Sequence, residues 1–318
     1  MAKPTRVFFV ADLHGSAICF RKFINAAKVY RADVLIVGGD IAAKTMTPVF
    51  EEPGGWSVTM EGETRTAHST EELERIEGWV RDSATVPFRT TRPVWRELIA
   101  DRPKADQTFL KLELEELRQW LAWARARLAG SGARLLLGLG NDDFTPMEGV
   151  IASDGFAELT DVGILHLDDR HELLTLPFSN PTPWRTNREL PEEEIARRIR
   201  TDAQKLEHVA QAVFNLHAPP HNTPLDLAPR LDPGFVKVMT PGGEPDLVHV
   251  GSTAVRAALE EYQPVLGLHG HIHESKGSVV LGRTTALNPG SAYTEGTLLG
   301  AVVDLDPEGI RATMLTSG

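Results

Sequence analysis

The chain has 318 residues, of which 42% are hydrophobic and 24% are charged, a composition typical of a globular protein that buries one or two cores. Its 44 acidic and 33 basic residues give a net charge of −11, which argues against a broad surface for binding nucleic acid. The only cysteine, Cys19, excludes an intrachain disulfide, and its apolar neighbours predict that it lies in the core.

Two apolar runs near the N-terminus are predicted strands that end in metal-binding side chains. The first, residues 7–11, leads into Asp12 and His14, and the second, residues 34–37, leads through two glycines into Asp40. Continuous apolar runs are typical of strands that are buried on both faces. Ligands of open α/β sheets bind beyond the carboxyl ends of such strands, so these side chains are candidates for one site.

A long insertion follows the second strand. The next predicted strand begins about 95 residues after Asp40, whereas a β–α–β unit needs only ~30 residues. We assign the insertion to residues 44–132 and expect it to lie beside the site, because both of its stems join strands that carry candidate ligands. Residues 56–60 and 64–67 flank a Glu-Gly-Glu turn and predict a β-hairpin. A leucine stripe over residues 106–129 predicts an amphipathic helix that packs on the core, with a partner interface as the alternative.

Three later strand ends repeat the first pattern. The apolar run at residues 135–139 leads into Asn141, Asp142 and Asp143. The run at residues 213–216 leads into His217, and the run at residues 266–268 leads into His269, His271 and His273. A lone Asp or His of this kind is more often a surface or core residue with one hydrogen bond. Metal-binding side chains at five strand ends instead indicate one centre, and a di-metal centre is the leading hypothesis. We interpret His269, within the strand itself, as a buried histidine with a hydrogen bond, and a role in supporting the ligands from behind is the alternative.

The segment after His217 has no periodicity and is predicted to be a long loop, residues 218–246, which in a compact domain is usually functional or mobile. Pro219 and Pro220 restrict the backbone to extended or turn geometry just before His221. We therefore interpret His221 as a candidate contact to a substrate phosphate or a candidate proton donor. The alternative is an exposed loop histidine without a role.

These motifs resemble those of the calcineurin-like metallophosphoesterases, in the order found in that family: Asp-x-His, Gly-Asp, Gly-Asn-x-Asp, a lone His after a strand, and Gly-His-x-His. The segment 288–291, Asn-Pro-Gly-Ser, resembles a further segment common in the family. The resemblance extends from Asp12 to Ser291. It implies one phosphoesterase domain over residues 1–318, an α/β fold with two packed mixed β-sheets flanked by helices in a four-layer αββα arrangement. The hairpin and helices of residues 44–132 would be inserted in that domain.

The resemblance also implies ligands for two divalent cations. One cation would be bound by Asp12, His14, Asp40 and His273. The other would be bound by Asp40, Asn141, His217 and His271. Two cations ~3.5–4 Å apart need a shared anion, which a bridging Asp40 would supply. Mixed nitrogen and oxygen ligands favour Mn, Fe, Zn, Co or Ni over Ca or Mg.

The two acidic residues after Asn141 take different roles under the same resemblance. Asp143 matches an acidic residue that supports the site from behind the ligands. Asp142 departs from the pattern, because many family members have a histidine there that is presumed to protonate the leaving group. A carboxylic acid serves as proton donor if its pKa is raised, whereas nearby cations lower that pKa. Asp142, or a water that it positions, is our candidate donor.

The predicted function is hydrolysis of small phosphate esters, with a lean to phosphodiesters, by a hydroxide that bridges two metal ions. A phosphomonoesterase and a non-catalytic, metal-binding interaction scaffold of the same fold are the alternatives, and the complete ligand set disfavours the scaffold. No apolar run approaches the ~18 residues of a membrane span and no charged leader precedes an apolar core, so we expect a cytoplasmic protein with no membrane partner. The oligomeric state stays open, with a homodimer among the alternatives.

Overall fold

Two six-stranded mixed β-sheets lie at the centre of the computed structural model. The structure describes residues 4–318, and for Val162 it describes the backbone alone. In spatial order, the first sheet contains β18 (Gly309–Ser317), β17 (Leu299–Asp306), β1 (Thr5–Val10), β2 (Val34–Gly38), β7 (Arg134–Gly138) and β8 (Glu158–Leu159). The second contains β15 (Gly277–Leu281), β16 (Thr284–Asn288), β14 (Leu266–Leu268), β11 (Val213–Leu216), β10 (Glu172–Leu176) and β9 (Ile164–His166). This mixed α/β class is the one predicted from the sequence.

Four neighbouring strands of each sheet run parallel, and the antiparallel strands lie at the edges. The parallel sets are β1, β2, β7 and β8 in the first sheet and β16, β14, β11 and β10 in the second. One apolar cluster contains side chains of both sheets, among them Phe9 and Ile36 from the first and Val213 and Leu268 from the second. The carboxyl ends of the parallel strands therefore bring residues of both sheets together.

Seven α-helices lie within the described residues, and they join the parallel strands or belong to the insertion. They are α1 (Ala17–Val29), α2 (Thr70–Asp82), α3 (Arg92–Ala100), α4 (Arg102–Leu128), α5 (Pro146–Asp154), α6 (Glu192–Ala203) and α7 (Thr253–Tyr262). Serine side chains cap three of them: Ser16, Ser69 and Ser252 each accept a hydrogen bond from the backbone N–H three residues on. Such caps satisfy one of the free N–H groups at a helix start. None of the described helices has the length and apolarity that crossing a membrane requires.

The insertion contains a sheet of its own, with the strand order β5 (Glu63–Ala67), β4 (Gly55–Met60), β3 (Met46–Glu52) and β6 (Val86–Thr90). The predicted hairpin corresponds to β4 and β5. Glu61 and Gly62 both have positive φ, as a two-residue turn of the favoured primed type requires. Strands β3 and β6 extend the hairpin into a four-stranded sheet, which the sequence-based description of a hairpin with helices does not include.

Helix α4 packs on the core, as its leucine stripe predicts, although it begins at residue 102 rather than 106. The Trp120 ring stacks on Phe20 of α1 with a centroid distance of 4.2 Å. Leu117 and Leu121 are buried, whereas Trp123 is partly exposed. Cys19 is buried on α1, as expected.

The long segment after His217 is more ordered than the loop predicted for it. It contains a short antiparallel pair, β12 (Leu227–Pro229) and β13 (Leu247–His249). Asp226, which is fully buried just before this pair, accepts hydrogen bonds from the backbone N–H groups of Asn222, Thr223 and Gly251. One buried carboxylate therefore organises both ends of the segment.

Candidate metal centre

Side chains from five strand ends converge at the carboxyl edge shared by the two sheets. Three groups of residues each place one potential ligand atom per residue within 4.8 Å of the others: Asp12, His14 and His273; Asp40, His217 and His271; and His14, Asp40 and Asp142. Asp12, His14, Asp40 and His217 are buried, whereas His271, His273 and Asp142 are partly exposed.

The first group is organised around two facing imidazoles. His14 Nε2 lies 3.1 Å from His273 Nε2, and His273 Nε2 lies 3.4 Å from Asp12 Oδ1. Two ligand atoms that are each ~2.1 Å from one cation are separated by about 3.0–3.4 Å in octahedral or tetrahedral geometry. Two of the three distances have this spacing and the third, from His14 Nε2 to Asp12 Oδ1, is 4.0 Å, so this group is positioned to hold one metal ion. Both carboxylate oxygens of Asp12 also accept the backbone N–H of His271 at 3.0 Å, which fixes the carboxylate plane.

The second group is organised around His217. Its Nδ1 lies 3.2 Å from the carbonyl oxygen of Gly38 and donates to it, which leaves Nε2 as the nitrogen available to a cation. That Nε2 lies 3.0 Å from Asn141 Oδ1 and 3.4 Å from Asp40 Oδ2. The His271 ring is close by, with its centroid 5.5 Å from that of His217. This set also has the spacing of ligands around one ion.

Asp40 lies between the two groups. Its Oδ1 accepts the backbone N–H of Asp142 at 2.9 Å. Its Oδ2 lies 3.4 Å from His217 Nε2 and 3.7 Å from His14 Nε2, so a single oxygen faces both groups. That position suits a carboxylate that two cations share.

Four of these residues have left-handed backbone conformations: φ is 58° at Asp12, 41° at His14, 54° at Asp40 and 68° at His271. Asp and His enter this region more readily than most residues, but each such residue costs roughly 1–3 kcal/mol when the conformation is strained. Strain of this kind is concentrated at functional sites. Here it lets side chains that follow straight strands turn back toward one point.

Two glycines permit the close approach of the ligand loops. A Cβ atom on Gly140 would lie 2.2 Å from Asp40 Oδ1, and one on Gly270 would lie 2.5 Å from Asp12 Oδ2. Both distances are far below van der Waals contact, so any side chain at either position must displace a carboxylate. The glycines that precede Asn141 and His271 are therefore part of the site's geometry.

The electrostatics of the buried cluster separate the histidines into two classes. Burial lowers the pKa of His14 to about 3 and that of His271 to about 4, so both are neutral at neutral pH, the form that binds metals. Burial would also lower the pKa of His217, but the charge of Asp40 outweighs it and raises that pKa to about 9. Burial opposes ionisation of Asp40 as well, and His217 outweighs it, so the pKa of Asp40 lies well below its usual range.

Asp143 supports the loops that carry two of the candidate ligands. Its fully buried carboxylate accepts backbone N–H groups from Ile41 at 3.1 Å, Ala42 at 2.7 Å and Gly140 at 2.8 Å. Burial, followed by the charge of Asp40, raises the pKa of Asp143 to about 7. Asp143 thus lies behind the ligands, where the family resemblance places it.

Asp142 lies at the open side of the cluster beside a lysine that the sequence analysis does not single out. Its Oδ2 lies 3.8 Å from His14 Nδ1 and 3.2 Å from Lys44 Nζ. Burial and then the charge of Asp40 raise the pKa of Asp142, whereas Lys44 opposes that shift. Tyr293 completes this side, because its ring centroid lies 4.7 Å from that of His14. Lys44 is four residues from Asp40 in sequence, but nothing in the sequence pattern distinguishes it from other lysines.

His221 is not a member of any of the three groups. Its Nδ1 lies 3.5 Å from Asp226 Oδ2, and His249 Nδ1 lies 2.7 Å from the other oxygen of the same carboxylate. Its side chain is 39% exposed, which leaves the outer face of the ring open to solvent. The buried His269 has the structural surroundings expected of it, since its Nδ1 lies 2.7 Å from the carbonyl oxygen of Leu216.

The Asn-Pro-Gly-Ser segment supports the same loops from the opposite side. Asn288 Nδ2 donates to the carbonyl oxygens of Gly270 at 3.3 Å and Ile272 at 2.9 Å. Ser291 Oγ donates to the carbonyl oxygen of Asp12 at 2.7 Å. The segment therefore connects the loop of His271 and His273 with the loop of Asp12 and His14.

Comparisons with known proteins place the chain among proteins of similar fold. No family model matches it. The uncharacterized protein MJ1162 of Methanocaldococcus jannaschii is 32% identical over 113 residues, which are 35% of this chain. The match spans 44% of the length of that curated relative.

Two solved structures match nearly the whole chain. One is 15% identical with a TM-score of 0.58 and covers 98% of both chains. The other, TT1561 of Thermus thermophilus, is 12% identical with a TM-score of 0.53 and covers 99% of this chain and 98% of its own. A third, described as a novel archaeal phosphodiesterase, is 10% identical with a TM-score of only 0.37, over 98% of this chain and 99% of that one. At these identities, the first two likenesses establish the α/β fold and nothing about activity.

Proposed function

We propose that the chain hydrolyses small phosphate esters, with a lean to phosphodiesters, using two divalent transition-metal ions. The observation that carries this proposal is the convergence of candidate ligands on two groups that meet at Asp40. The ligands are Asp12, His14, Asp40, Asn141, His217, His271 and His273. The proposed membership of the calcineurin-like metallophosphoesterases rests on the same residues and on their order along the chain.

The four-layer αββα architecture belongs to the same proposal, and three apolar clusters support it. One cluster contains side chains of both sheets. A second joins Phe8 and Val10 of the first sheet with residues of α1, α4 and α5. A third joins Leu174 and Phe214 of the second sheet with residues of α6 and α7. These three clusters support an arrangement of helices, sheet, sheet and helices across the molecule.

The mixed nitrogen and oxygen donors suit Mn, Fe, Zn, Co or Ni. When bound, two such cations acidify a water molecule and neutralise charge on the phosphoryl oxygens. The chain supplies the rest. Asp40 is held by the Asp142 backbone N–H so that one oxygen serves both groups, and His14 and His271 are kept neutral by burial. The rigid turns around these residues hold the donors in position before any substrate arrives.

Lys44 and Asp142 line the side of the site from which a substrate would approach. We assign Lys44 to a non-bridging phosphoryl oxygen, because its ammonium group lies 3.2 Å from Asp142 and its side chain is 45% exposed. Asp142, or a water that it positions, donates a proton to the leaving group. In its ionised form, in which it would position a water, Asp142 also repels a monoester dianion more than a diester monoanion. That difference is the basis for the lean to phosphodiesters, with a phosphomonoesterase as the alternative.

His221 is proposed as a further substrate contact. The buried Asp226 carboxylate faces its Nδ1, so the opposite nitrogen, Nε2, is the one left to contact a ligand. The partly exposed ring can therefore donate a hydrogen bond without first being ordered. An exposed loop histidine without a role remains the alternative.

The experiment that tests the proposed function combines metal analysis with two parallel assays. Purified chain is stripped of metal, loaded with Mn²⁺, and assayed on an aryl phosphate and a bis-aryl phosphate. We expect two ions per chain and hydrolysis of at least one ester. Asp40→Ala should lower the metal content and abolish hydrolysis while the fold survives. Asp202→Ala, which removes an acidic side chain of α6 that pairs with Lys205, is the matched control and should change neither result.

The rival functions predict different outcomes in the same experiment. Two bound ions without hydrolysis of either ester would favour the non-catalytic scaffold. Faster hydrolysis of the aryl phosphate than of the bis-aryl phosphate would favour a phosphomonoesterase. Fewer than one bound ion per chain would contradict the proposal altogether.

A further inference from the structure

A tight loop between Ser179 and Leu190 packs against the candidate ligand Asn141. Backbone hydrogen bonds close the base of this loop: Ser179 N–H donates to Arg188 O at 3.2 Å, and Leu190 N–H donates to Ser179 O at 2.9 Å. We call residues 180–189 the clamp loop. Its contact with the Asn141 side chain is made by the amide nitrogen, whereas the amide oxygen faces His217, so this contact concerns how the candidate ligand is held.

The clamp loop contacts the Asn141–Asp142 turn in three ways. Asn141 Nδ2 donates to Thr186 Oγ1 at 2.9 Å. Arg188 N–H donates to the carbonyl oxygen of Asn141 at 3.0 Å, and Asn187 Nδ2 donates to that of Asp142 at 2.9 Å. These contacts link residues that are 45 or more positions apart in sequence, so only the folded chain creates them.

The hydroxyl of Thr186 is fixed in direction by Glu189. Glu189 Oε1 accepts Thr186 Oγ1 at 2.8 Å, Thr186 N–H at 2.7 Å and Thr182 Oγ1 at 2.6 Å. Burial opposes ionisation of Glu189, but the hydrogen bonds from Thr182 and Thr186 outweigh it and lower its pKa. An ionised carboxylate only accepts hydrogen bonds, so the single hydroxyl proton of Thr186 points to Glu189. Its oxygen can then only accept from Asn141.

This directional chain settles which end of the Asn141 amide faces the site. With the NH₂ group donating to Thr186, the amide oxygen Oδ1 points to the opposite side, where it lies 3.0 Å from His217 Nε2. An oxygen there can bind a cation, whereas an NH₂ group would repel it. We infer that Thr186, anchored by Glu189, is a positioning residue that holds the Asn141 amide oxygen toward the cation of the His217 group. The inference rests on the proposed function, because it concerns one of the two proposed ions.

Arg188 keeps the clamp loop rigid at its other end. Its guanidinium, only 5% exposed, donates to Glu148 at 2.9 Å and to Asp161 at 3.1 Å. The loop is therefore pinned to α5 and to the 3₁₀ turn Thr160–Val162. A rigid outer partner of this kind is what makes ligand-supporting hydrogen bonds worth 10–100-fold in metal affinity.

The test compares three single variants of the full chain by calorimetric titration of the metal-free protein with Mn²⁺. Thr186→Val keeps the shape of the side chain but removes the acceptor for Asn141, so one of the two ions should bind 10–100-fold more weakly while the other is unaffected. Thr186→Ser retains the hydroxyl and should restore wild-type binding of both ions. Thr182→Val removes a hydroxyl from the same Glu189 oxygen without touching Asn141, and it should also bind both ions like the wild type.

A second readout separates positioning from general damage to the fold. Electron paramagnetic resonance distinguishes spin-coupled Mn²⁺ pairs from single Mn²⁺ ions, and at limiting metal the Thr186→Val protein should give the single-ion signal. The thermal unfolding midpoints of the metal-free Thr186→Val and Thr182→Val proteins should be alike. Equal, wild-type binding of two ions by Thr186→Val would overturn the inference alone, and so would an equal loss in Thr182→Val. A wild-type protein that binds fewer than two ions would instead overturn the proposed function.

Discussion

The position of the Asp40 carboxylate depends on neighbouring groups that carry no charge. The Asp142 backbone N–H holds one of its oxygens, and Gly140 leaves room for that same oxygen. The left-handed backbone of Asp40 directs the carboxylate between the two ligand groups. At the scale of single residues, the geometry of the centre is therefore set by backbone groups and by an absent side chain as much as by the ligands themselves.

Gly140→Ala should remove metal binding without unfolding the chain. The new Cβ would lie 2.2 Å from Asp40 Oδ1, so the carboxylate must move away from the position that both groups share. We expect a loss of at least one bound ion and a fall of 10²-fold or more in kcat. Elemental analysis and assays of the Mn²⁺-loaded protein provide the measurement.

Gly149→Ala is the matched control, because a Cβ there meets no atom within 4 Å and the residue lies inside helix α5. It should keep both ions and gain up to about 1 kcal/mol in free energy of unfolding. Full metal content in Gly140→Ala would show that the close approach of Gly140 to Asp40 has no functional consequence.

Asp142→Asn should affect poor leaving groups selectively. A nitrophenolate leaves without a proton near neutral pH, whereas an alkoxide needs one in the transition state. Asparagine keeps the shape of the side chain and the backbone N–H that holds Asp40. We expect hydrolysis of an aryl diester to change by less than about threefold and that of an alkyl diester to fall by about 10²-fold. An equal loss on both esters would assign Asp142 to tuning of the metals instead.

At the scale of elements, the insertion is tied to the loop that follows Asp40. Lys44, at its first stem, reaches Asp142, and Glu113 on α4 accepts a hydrogen bond from the backbone of Ala43. Asp143 accepts hydrogen bonds from the backbone N–H groups of Ile41 and Ala42, which precede Ala43 in this loop. The insertion therefore contacts the loop of residues 41–44 beside the site, and we propose that it shapes access for the substrate there.

Glu113 links this contact to stability in a way that depends on pH. Its carboxyl group is buried, with Oε1 lacking a hydrogen-bond partner among the described residues, and burial raises its pKa well above the usual range. A group whose pKa is raised by folding contributes stability below its unfolded pKa and loses it as pH rises. The wild-type chain therefore carries a penalty at neutral pH that an amide would not.

Glu113→Gln should increase the free energy of unfolding at about pH 8 by on the order of 1 kcal/mol, with a smaller gain at about pH 5. Urea unfolding at the two pH values provides the measurement. Glu115→Gln, on the exposed side of the same helix and paired only with Arg118, is the control and should change stability little at either pH. A gain that is equal at both pH values would contradict the role assigned to burial of Glu113.

At the scale of the whole molecule, the sequence predicts the α/β class and brings forward the residues that converge. Each apolar strand is followed directly by its candidate ligands, so a short stretch of sequence identifies them. Parallel pairing of the strands then brings these residues to the same edge of the sheets. The hairpin of β4 and β5 and the packing of α4 on the core also follow from local periodicity. By contrast, β3 and β6 each contain a proline, Pro48 and Pro87, which argues against a strand in sequence.

The supporting residues could not be predicted in the same way. Thr186 contacts Asn141 across 45 positions, and Lys44 reaches Asp142 only after the insertion folds back. The order in the segment after His217 depends on Asp226, whose partner Gly251 is 25 residues away. Contacts of this kind depend on the complete fold, because no short stretch of sequence contains both partners.

Anomalous diffraction from crystals of the chain soaked with Mn²⁺ would locate the proposed ions directly. We predict two anomalous peaks ~3.5–4 Å apart on either side of Asp40 Oδ2, one beside His14 and His273 and the other beside His217 and His271. No peak at this position, or a single peak that Asp40 does not touch, would contradict a two-metal centre at Asp40.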